Sequence, residues 1–171
     1  MKFCPDCGTK LSDKYNSSEK KPIPYCKPCR KFCFPPFSCA VIAAVINSNE
    51  NRVLLIKHKN DNDLLLLSGF IERGENAEQA LCRECREEVG ITLNRFKMCK
   101  SWYFAPDNTL IIGFWAITEN DTLSPNHTEI GNASWFSFDN AIQTVKQNTL
   151  AQTALVKLLD DFQKNKPSAC G

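Results

Sequence analysis

The sequence predicts a mixed α/β or α+β core with a small cysteine-rich module ahead of it. Two observations carry this. Strand-like runs alternate with two segments of helical periodicity after about residue 37, and paired cysteines crowd the first 34 residues. In order, "SCAVIAAVI" and "NRVLLIKHK" read as strands joined by the polar turn "NSNEN". "DLLLLSGF" is a third apolar run, and "ENAEQALCRECREEVG" reads as a helix. "FKMCKSWYFA" and "TLIIGFWAI" are strands around the turn "PDN", and "ASWFSF" is a short strand whose Trp135 is expected in the core. Leu150, Ala154, Leu155, Leu158, Leu159 and Phe162 recur at helical spacing in a C-terminal helix. Three regions result: residues 1–34, a main domain over 35–165 and a flexible tail over 166–171, with "FPPF", Phe34 to Phe37, an extended connector at the first boundary.

Composition narrows the function. A 43% hydrophobic content can fill one core, and a formal charge of +2 gives no electrostatic case for general nucleic-acid binding. No apolar run is long enough to span a membrane, and the N-terminus lacks an apolar signal core, so a cytoplasmic protein is expected.

There are ten cysteines. "CPDC" and "CKPC" stand 18 residues apart, the spacing of a zinc ribbon. Each C-x-x-C forms a turn that brings two thiolates to one ion. Cys4, Cys7, Cys26 and Cys29 thus form a closed tetrahedral set for structural Zn²⁺. Four unrelated thiols, or a redox pair, are the competing readings. Cys33 lies too close to Cys29 to join the paired pattern.

The helix offers a second set of donors. Asn76 and Gln79 have capping-box spacing, and Gly90 is a natural stop. At 3.6 residues per turn, Leu81, Cys85 and Val89 share a core-facing stripe with Cys82 at its edge. Glu84, Glu87 and Glu88 fall on the adjoining face, within an arc of about 100°. The thiols of this helix read as packing groups. The three carboxylates suit either a solvated acidic face or a hard divalent cation, and spacing alone does not choose.

A longer pattern chooses. "GFIERGENAEQALCRECREEVGI", Gly69 to Ile91, resembles the Nudix box, G-x(5)-E-x(7)-R-E-U-x-E-E-x-G-U, where U is a bulky apolar residue. Gly69, Glu75, Arg83, Glu84, Glu87, Glu88, Gly90 and Ile91 match, and Cys85 takes the first U position. The resemblance implies an α/β/α sandwich with a mixed sheet, preceded by the ribbon. It implies a metal-dependent pyrophosphohydrolase that cleaves a nucleoside diphosphate linked to another moiety. By position, Glu84 and Glu88 would be the main Mg²⁺ or Mn²⁺ ligands, with Glu87 contributing. Glu75 would pair with Arg83 to hold the loop, and the Ser68 carbonyl would be a further metal contact. One glutamate would be the general base, which the pattern does not assign.

The ribbon followed by this box resembles the NADH pyrophosphatase branch of the family. "EIGNASWF", Glu129 to Phe136, resembles a segment of that branch whose glutamate is a metal ligand, so Glu129 inherits that role. "KFCFPP" sits where the branch has Tyr-Tyr-Pro, so Phe34 either stacks on a base or packs the ribbon. "SWYFAPD", Ser101 to Asp107, keeps the aromatic character of the branch's S-Q-P-W-P-F-P block and loses its prolines. Trp102, Tyr103 and Phe104 therefore line a base pocket or serve as plain strand residues, and NADH specificity stays open. The implied substrates are NADH, NAD⁺, FAD or ADP-ribose, with NAD-capped RNA a lesser option. Relatives with the ribbon imply a homodimer. The alternative is a non-catalytic nucleotide-binding adaptor on the same scaffold, which has less need of every metal ligand. His58 reads as part of a solvated basic strand end whose Lys57 and Lys59 are candidate phosphate contacts, and His127, near Glu129, as a loop residue or a neighbour of the metal.

Overall fold

The computed structural model describes residues 1–47 and 51–165. Residues 48–50, inside the turn expected between the first two core strands, lie outside the described residues, as do the tail 166–171 and Cys170. The chain forms two compact units, Met1–Phe37 and a second beginning at Ser38. The first therefore takes in Phe34 to Phe37, which reads in sequence as a connector.

The first unit is an antiparallel sheet of β1 (Ser12–Asn16), β2 (Lys21–Cys26) and β3 (Lys31–Phe32) in that order. The β1–β2 turn is held by the Asn16 side chain, which accepts from the Ser18 and Glu19 amides at 3.0 and 3.1 Å. Tyr25 and Phe32 meet edge to face at 5.1 Å, with the Lys14 ammonium 4.3 Å from the Tyr25 ring. The buried interior is Ile23 with Cys4, Cys26 and Cys33. That is too little apolar surface to fold on by itself.

The second unit is built on β4 (Ser38–Asn47), β5 (Arg52–His58), β6 (Leu67–Phe70), β7 (Arg95–Phe104), β8 (Thr109–Thr118) and β9 (Ile130–Ser137). The strand order is β7-β8-β4-β5-β9. β4 runs parallel to β8 over all ten of its residues, and its other neighbours are antiparallel. Its second edge is shared: β6 pairs with Ala40 to Ala43, and β5 with Ile46 and Asn47. The helices are α1 (Ala77–Val89), α2 (Phe138–Thr144) and α3 (Leu150–Lys164).

β4 explains the layering. Alternate side chains of a strand point to opposite faces. Ile42, Ala44 and Ile46 pack with α3 through Ala154, Leu155, Leu158 and Phe162. Val41, Ala43 and Val45 pack with α1 through Ala80, Leu81, Cys85 and Val89. Because both faces are covered, the strand reads as a continuous apolar run rather than an alternating one. The fold is the α/β/α sandwich with a mixed sheet.

Three details differ from the sequence reading. The run "DLLLLSGF" is regular strand only from Leu67, because Leu64 and Leu65 make single bridges to Val145 and Ile56. The helix α2 had no strong periodic signal, being short and capped only by Ser137 at 3.4 Å. Trp135 is half-buried rather than central. It sits on the edge strand β9, and its indole N–H reaches the Asp121 carbonyl at 2.8 Å.

One contact across β7 and β8 is unusually tight. A Cβ on Gly113 would lie 2.4 Å from Cζ3 of Trp102 and 3.1 Å from the Lys100 carbonyl. Neither ring nor backbone yields cheaply in a packed sheet. Gly113→Ala should destabilise the protein by about 1–3 kcal/mol. Adding Trp102→Ala should recover part of the loss arising from overpacking. Urea midpoints of the two single variants and the double variant measure both terms.

Candidate functional site

Helix α1 is fixed at both ends by its own sequence. The Asn76 side chain accepts from the Gln79 amide at 2.8 Å, and the Gln79 side chain accepts from the Asn76 amide at 2.9 Å. Gly90 ends the helix in the left-handed region at φ 72°, its amide reaching the Arg86 carbonyl. With the ends set, Leu81, Cys85 and Val89 are fully buried, and Cys82 is only partly so. The same rotation leaves Glu88 buried, Glu84 half-buried and Glu87 exposed.

Arg83 organises the loop before this helix. Its Nε and Nη2 donate to both oxygens of Glu75, at 3.2 and 2.7 Å. Nη2 also reaches the Phe70 carbonyl at 2.9 Å, while Nη1 reaches Glu84 at 2.8 Å and Glu87 at 3.2 Å. Three carboxylates and a carbonyl thus share one guanidinium, which raises the Arg83 pKa further. Glu75 is held below its ordinary range by Arg83 and by the Glu72 amide, which donates to it at 2.7 Å. At Gly69 the chain leaves no space: a Cβ there would lie 2.0 Å from the Glu84 carboxyl carbon. Only glycine lets that carboxylate lie where it does against the backbone of β6.

Glu129 comes from a different segment that is tied to the same helix. The Ser124 and Asn126 amides donate to the last-turn carbonyls of Val89 and Glu88, both at 2.9 Å. These carbonyls have no partner within the helix. The Glu129 and Ile130 amides then return to the Asn126 carbonyl, and the Lys59 amide binds the Glu129 carbonyl.

The carboxylates are electrostatically uncomfortable. Burial pushes Glu88 up to about 8, and the charges of Glu84 and Glu129 add to the shift. Glu84 is also raised, by burial above all, despite Arg83. Glu88 Oε2 is buried with no hydrogen-bond partner, alone in this among the described residues. An orphaned carboxyl oxygen whose charged form is disfavoured by neighbouring carboxylates is chemically suited to a hard divalent cation, which would offset that charge.

The four thiols of the first unit converge more closely. Among the described residues, Cys4, Cys7, Cys26 and Cys29 are the one set of such donors whose ligand atoms all lie within 4.8 Å. The Cys4–Cys29 and Cys7–Cys26 sulfur separations are 4.0 and 3.5 Å. Tetrahedral zinc with 2.3 Å bonds needs sulfurs about 3.8 Å apart, so the cluster is compatible with it. The two knuckles match: Gly8 and Arg30, each following the second cysteine of its pair, both have positive φ, at 69° and 54°. Thr9 pulls the Cys7 thiol down to about 6, while Cys7 and Cys26 push Cys29 up to about 12. Cys33 is buried beside them and stands outside the set.

The remaining candidates scatter. Phe34 belongs to the first unit and is exposed. Trp102 packs over Gly113 against the α3-side core. Tyr103 is exposed, its hydroxyl donating to Asn108 at 2.6 Å. A cavity of about 270 Å³ opens beside Ser68 and Gly69, and Phe70, Phe104 and Asp107 line it rather than Trp102 or Tyr103. What distinguishes these aromatics is a glycine diagonal to Trp102: Trp102 pairs with Ile111, and its ring leans over Gly113, the partner of Lys100. Phe104, at the strand end, has no such seat. A second, open groove of about 440 Å³ runs past His58, Lys59, Thr128 and Glu129, and His127 is exposed outside its lining.

The chain is thus a mixed-sheet sandwich whose first helix sets a carboxylate cluster against a strand glycine. The sequence pattern of the NUDIX domain matches residues 37–159, and the chain belongs to that family. The chain is 29% identical over 166 residues to the NAD-capped RNA hydrolase NudC of Vibrio atlanticus (strain LGP32), covering 96% of this chain and 60% of that protein. It is 33% identical over 143 residues to the protein of the same name from Haemophilus influenzae (strain PittGG), covering 81% and 52%. The chain thus spans between half and three-fifths of the length of these curated relatives. A crystal structure of a NUDIX hydrolase from Nitrosomonas europaea superimposes with a TM-score of 0.67 at 21% identity, over 98% of this chain and 95% of that one. The NUDIX domain of Shewanella oneidensis NrtR, solved with ADP ribose, gives 0.63 at 16% identity over 82% and 93%. Both show the shared fold. No helix among the described residues is long and apolar enough to cross a membrane.

Two outcomes follow from the donor sets. Glu88 binds its proton more tightly when folded than at its ordinary value of 4.5. Its stabilising contribution is therefore complete below about 4.5 and is lost as pH rises through about 8. In cation-free buffer the gap in stability between Glu88→Gln and the native chain should widen over that range. Melts from pH 5 to 9 test this, and parallel curves would contradict it. Protein purified without chelator should carry about one zinc per chain, released by thiol modification and absent from Cys26→Ser. Elemental analysis reads it directly.

Proposed function

We propose that the chain is a metal-dependent pyrophosphohydrolase acting on a nucleoside diphosphate linked to another moiety, with NAD-type dinucleotides foremost. The observation that carries this reading is the orphaned, buried oxygen of Glu88 beside Glu84 and Glu129. Glu84, Glu88 and Glu129 would hold Mg²⁺ or Mn²⁺, with Glu87 and the Ser68 carbonyl at the margin. Bound there, such ions would neutralise phosphate oxygens and lower the pKa of water.

The protein's own groups do the rest. Arg83 and Glu75 keep the loop folded over Glu84, and so set where a diphosphate lies. Gly69 brings the backbone of β6 against the Glu84 carboxylate. The cavity of Phe70, Phe104 and Ile111 takes the ring at one end of the substrate and excludes water around it. Lys59 and His58 line the groove beside Glu129, and Lys59 would meet phosphate at the other end. Water adds to one phosphorus, the anhydride P–O bond breaks, and a dinucleotide yields two monophosphates. The name of the relatives supports an NAD-linked diphosphate and makes NAD-capped RNA a substrate form worth assaying. Structural Zn²⁺ in residues 1–34, a nucleotide hydrolase domain over 35–165, a homodimer and a cytoplasmic location complete the proposal.

The test is a turnover screen of NADH, NAD⁺, FAD, ADP-ribose and an NAD-capped oligonucleotide with Mg²⁺ and with Mn²⁺, read by product chromatography. Glu84→Gln and Glu88→Gln should each lower kcat by at least about 100-fold while leaving a cooperative melt. Near-native kcat in either would overturn the assignment. Inactivity across the panel alongside tight nucleotide binding would favour the adaptor reading.

A further inference from the structure

The cavity beside Gly69 has one charged residue in its wall. Phe70, Phe104, Ile42 and Ile111 supply aromatic and aliphatic surface, and Asp107 supplies a carboxylate. Among the described residues no lysine, arginine or histidine lines it. Among the described residues the Asp107 side chain joins no ion pair or hydrogen bond. Only its main-chain carbonyl is engaged, accepting from the Thr109 hydroxyl at 3.0 Å. The 3-10 turn that carries it, Ala105–Asp107, is pinned: Asn108 closes it in the left-handed region and receives the Tyr103 hydroxyl at 2.6 Å. Gly69 lines the cavity as well, and Glu84, which it backs, lies outside the lining with its carboxylate held by Arg83. A ring entering here meets two aromatic side chains and one acidic residue, Asp107.

That combination discriminates by charge. A ring with delocalised positive charge is attracted both to aromatic faces and to an unpaired carboxylate. A neutral ring of the same shape gains only the apolar contacts. A neutral amino group would be served equally by a hydroxyl or an amide, so the carboxylate adds selectivity chiefly for a cation. We propose that Asp107 is a specificity-determining residue that selects a cationic ring, the N-alkylated pyridinium of oxidised nicotinamide, over the uncharged dihydropyridine. This rests on the hydrolase reading for its substrate class and on the cavity for its selectivity.

The two are separable by experiment. Turnover of NAD⁺ and NADH is measured for the native chain, Asp107→Asn and Asp107→Glu. Equilibrium binding of nicotinamide mononucleotide and its reduced form is measured on cation-free native protein and Asp107→Asn. The native chain should favour NAD⁺ over NADH in kcat/KM by at least about fivefold. Asp107→Asn should collapse that ratio towards one, and Asp107→Glu should restore part of it. The binding contrast should follow the same pattern and weaken at high salt. An unchanged ratio in Asp107→Asn, or an equal loss for both ring forms, overturns the proposal. If neither dinucleotide is cleaved, the hydrolase reading falls and binding alone decides Asp107. A contrast that Asp107→Asn abolishes sustains the proposal, and no contrast ends it.

Discussion

The five-way coordination of the Arg83 guanidinium is the interaction on which the site depends. Its planar fork reaches Glu75 bidentately, then Glu84, Glu87 and the Phe70 carbonyl. A lysine, with one nitrogen, could not hold four acceptors in those directions. Because the guanidinium is only partly exposed, these bonds are shielded from water on one side. The segment from Ile71 to Gly74 packs on the core through Ile71, and the Arg83 side chain joins its two ends to the helix. The close approach of Gly69 to Glu84 is the counterpart of that staple: one residue draws loop and helix together, and the other allows them to meet.

The chain assigns two kinds of ligand to two kinds of task. Soft thiols gather in a unit with almost no apolar interior, where an ion would supply cohesion. Hard carboxylates sit on a helix that is already held by caps and by a well-packed stripe, so they can carry unfavourable electrostatics without risk to the fold. Glu88 shows the cost most plainly. It is buried, unpaired on one oxygen and surrounded by like charge, a combination that packing alone would not select.

Much of this was legible in sequence because it is local. Asn76, Gln79 and Gly90 mark the ends of α1, and residue spacing then dictates that Cys85 faces inward while Glu84 and Glu88 lie beside one another. Paired thiols at ribbon spacing are equally local. What was not legible depends on pairing between distant segments. That Trp102 is seated over Gly113, while Phe104 borders a cavity, follows from the register of β7 on β8, with its irregularity between Met98 and Lys100. Asp107 and Phe70 join that cavity only because β6 and β8 both flank β4. The unequal burial of Glu87 and Glu88, neighbours in sequence, likewise reflects what packs on the end of the helix.

The loop after β8 is tied to α1 at two points, through the Ser124 and Asn126 amides. Glu129 and Glu88 therefore belong to one body whose internal spacing is set by the few residues between Asn126 and Glu129. This gives the segment an uneven tolerance to length change. Extra residues inserted between Thr118 and Ser124 could bulge outward and leave both anchors in register. An added residue between Asn126 and Glu129 would move one carboxylate relative to the other while every strand stayed in place. Natural or engineered length variation in this chain should therefore accumulate on the near side of Ser124 and be rare on the far side of Asn126.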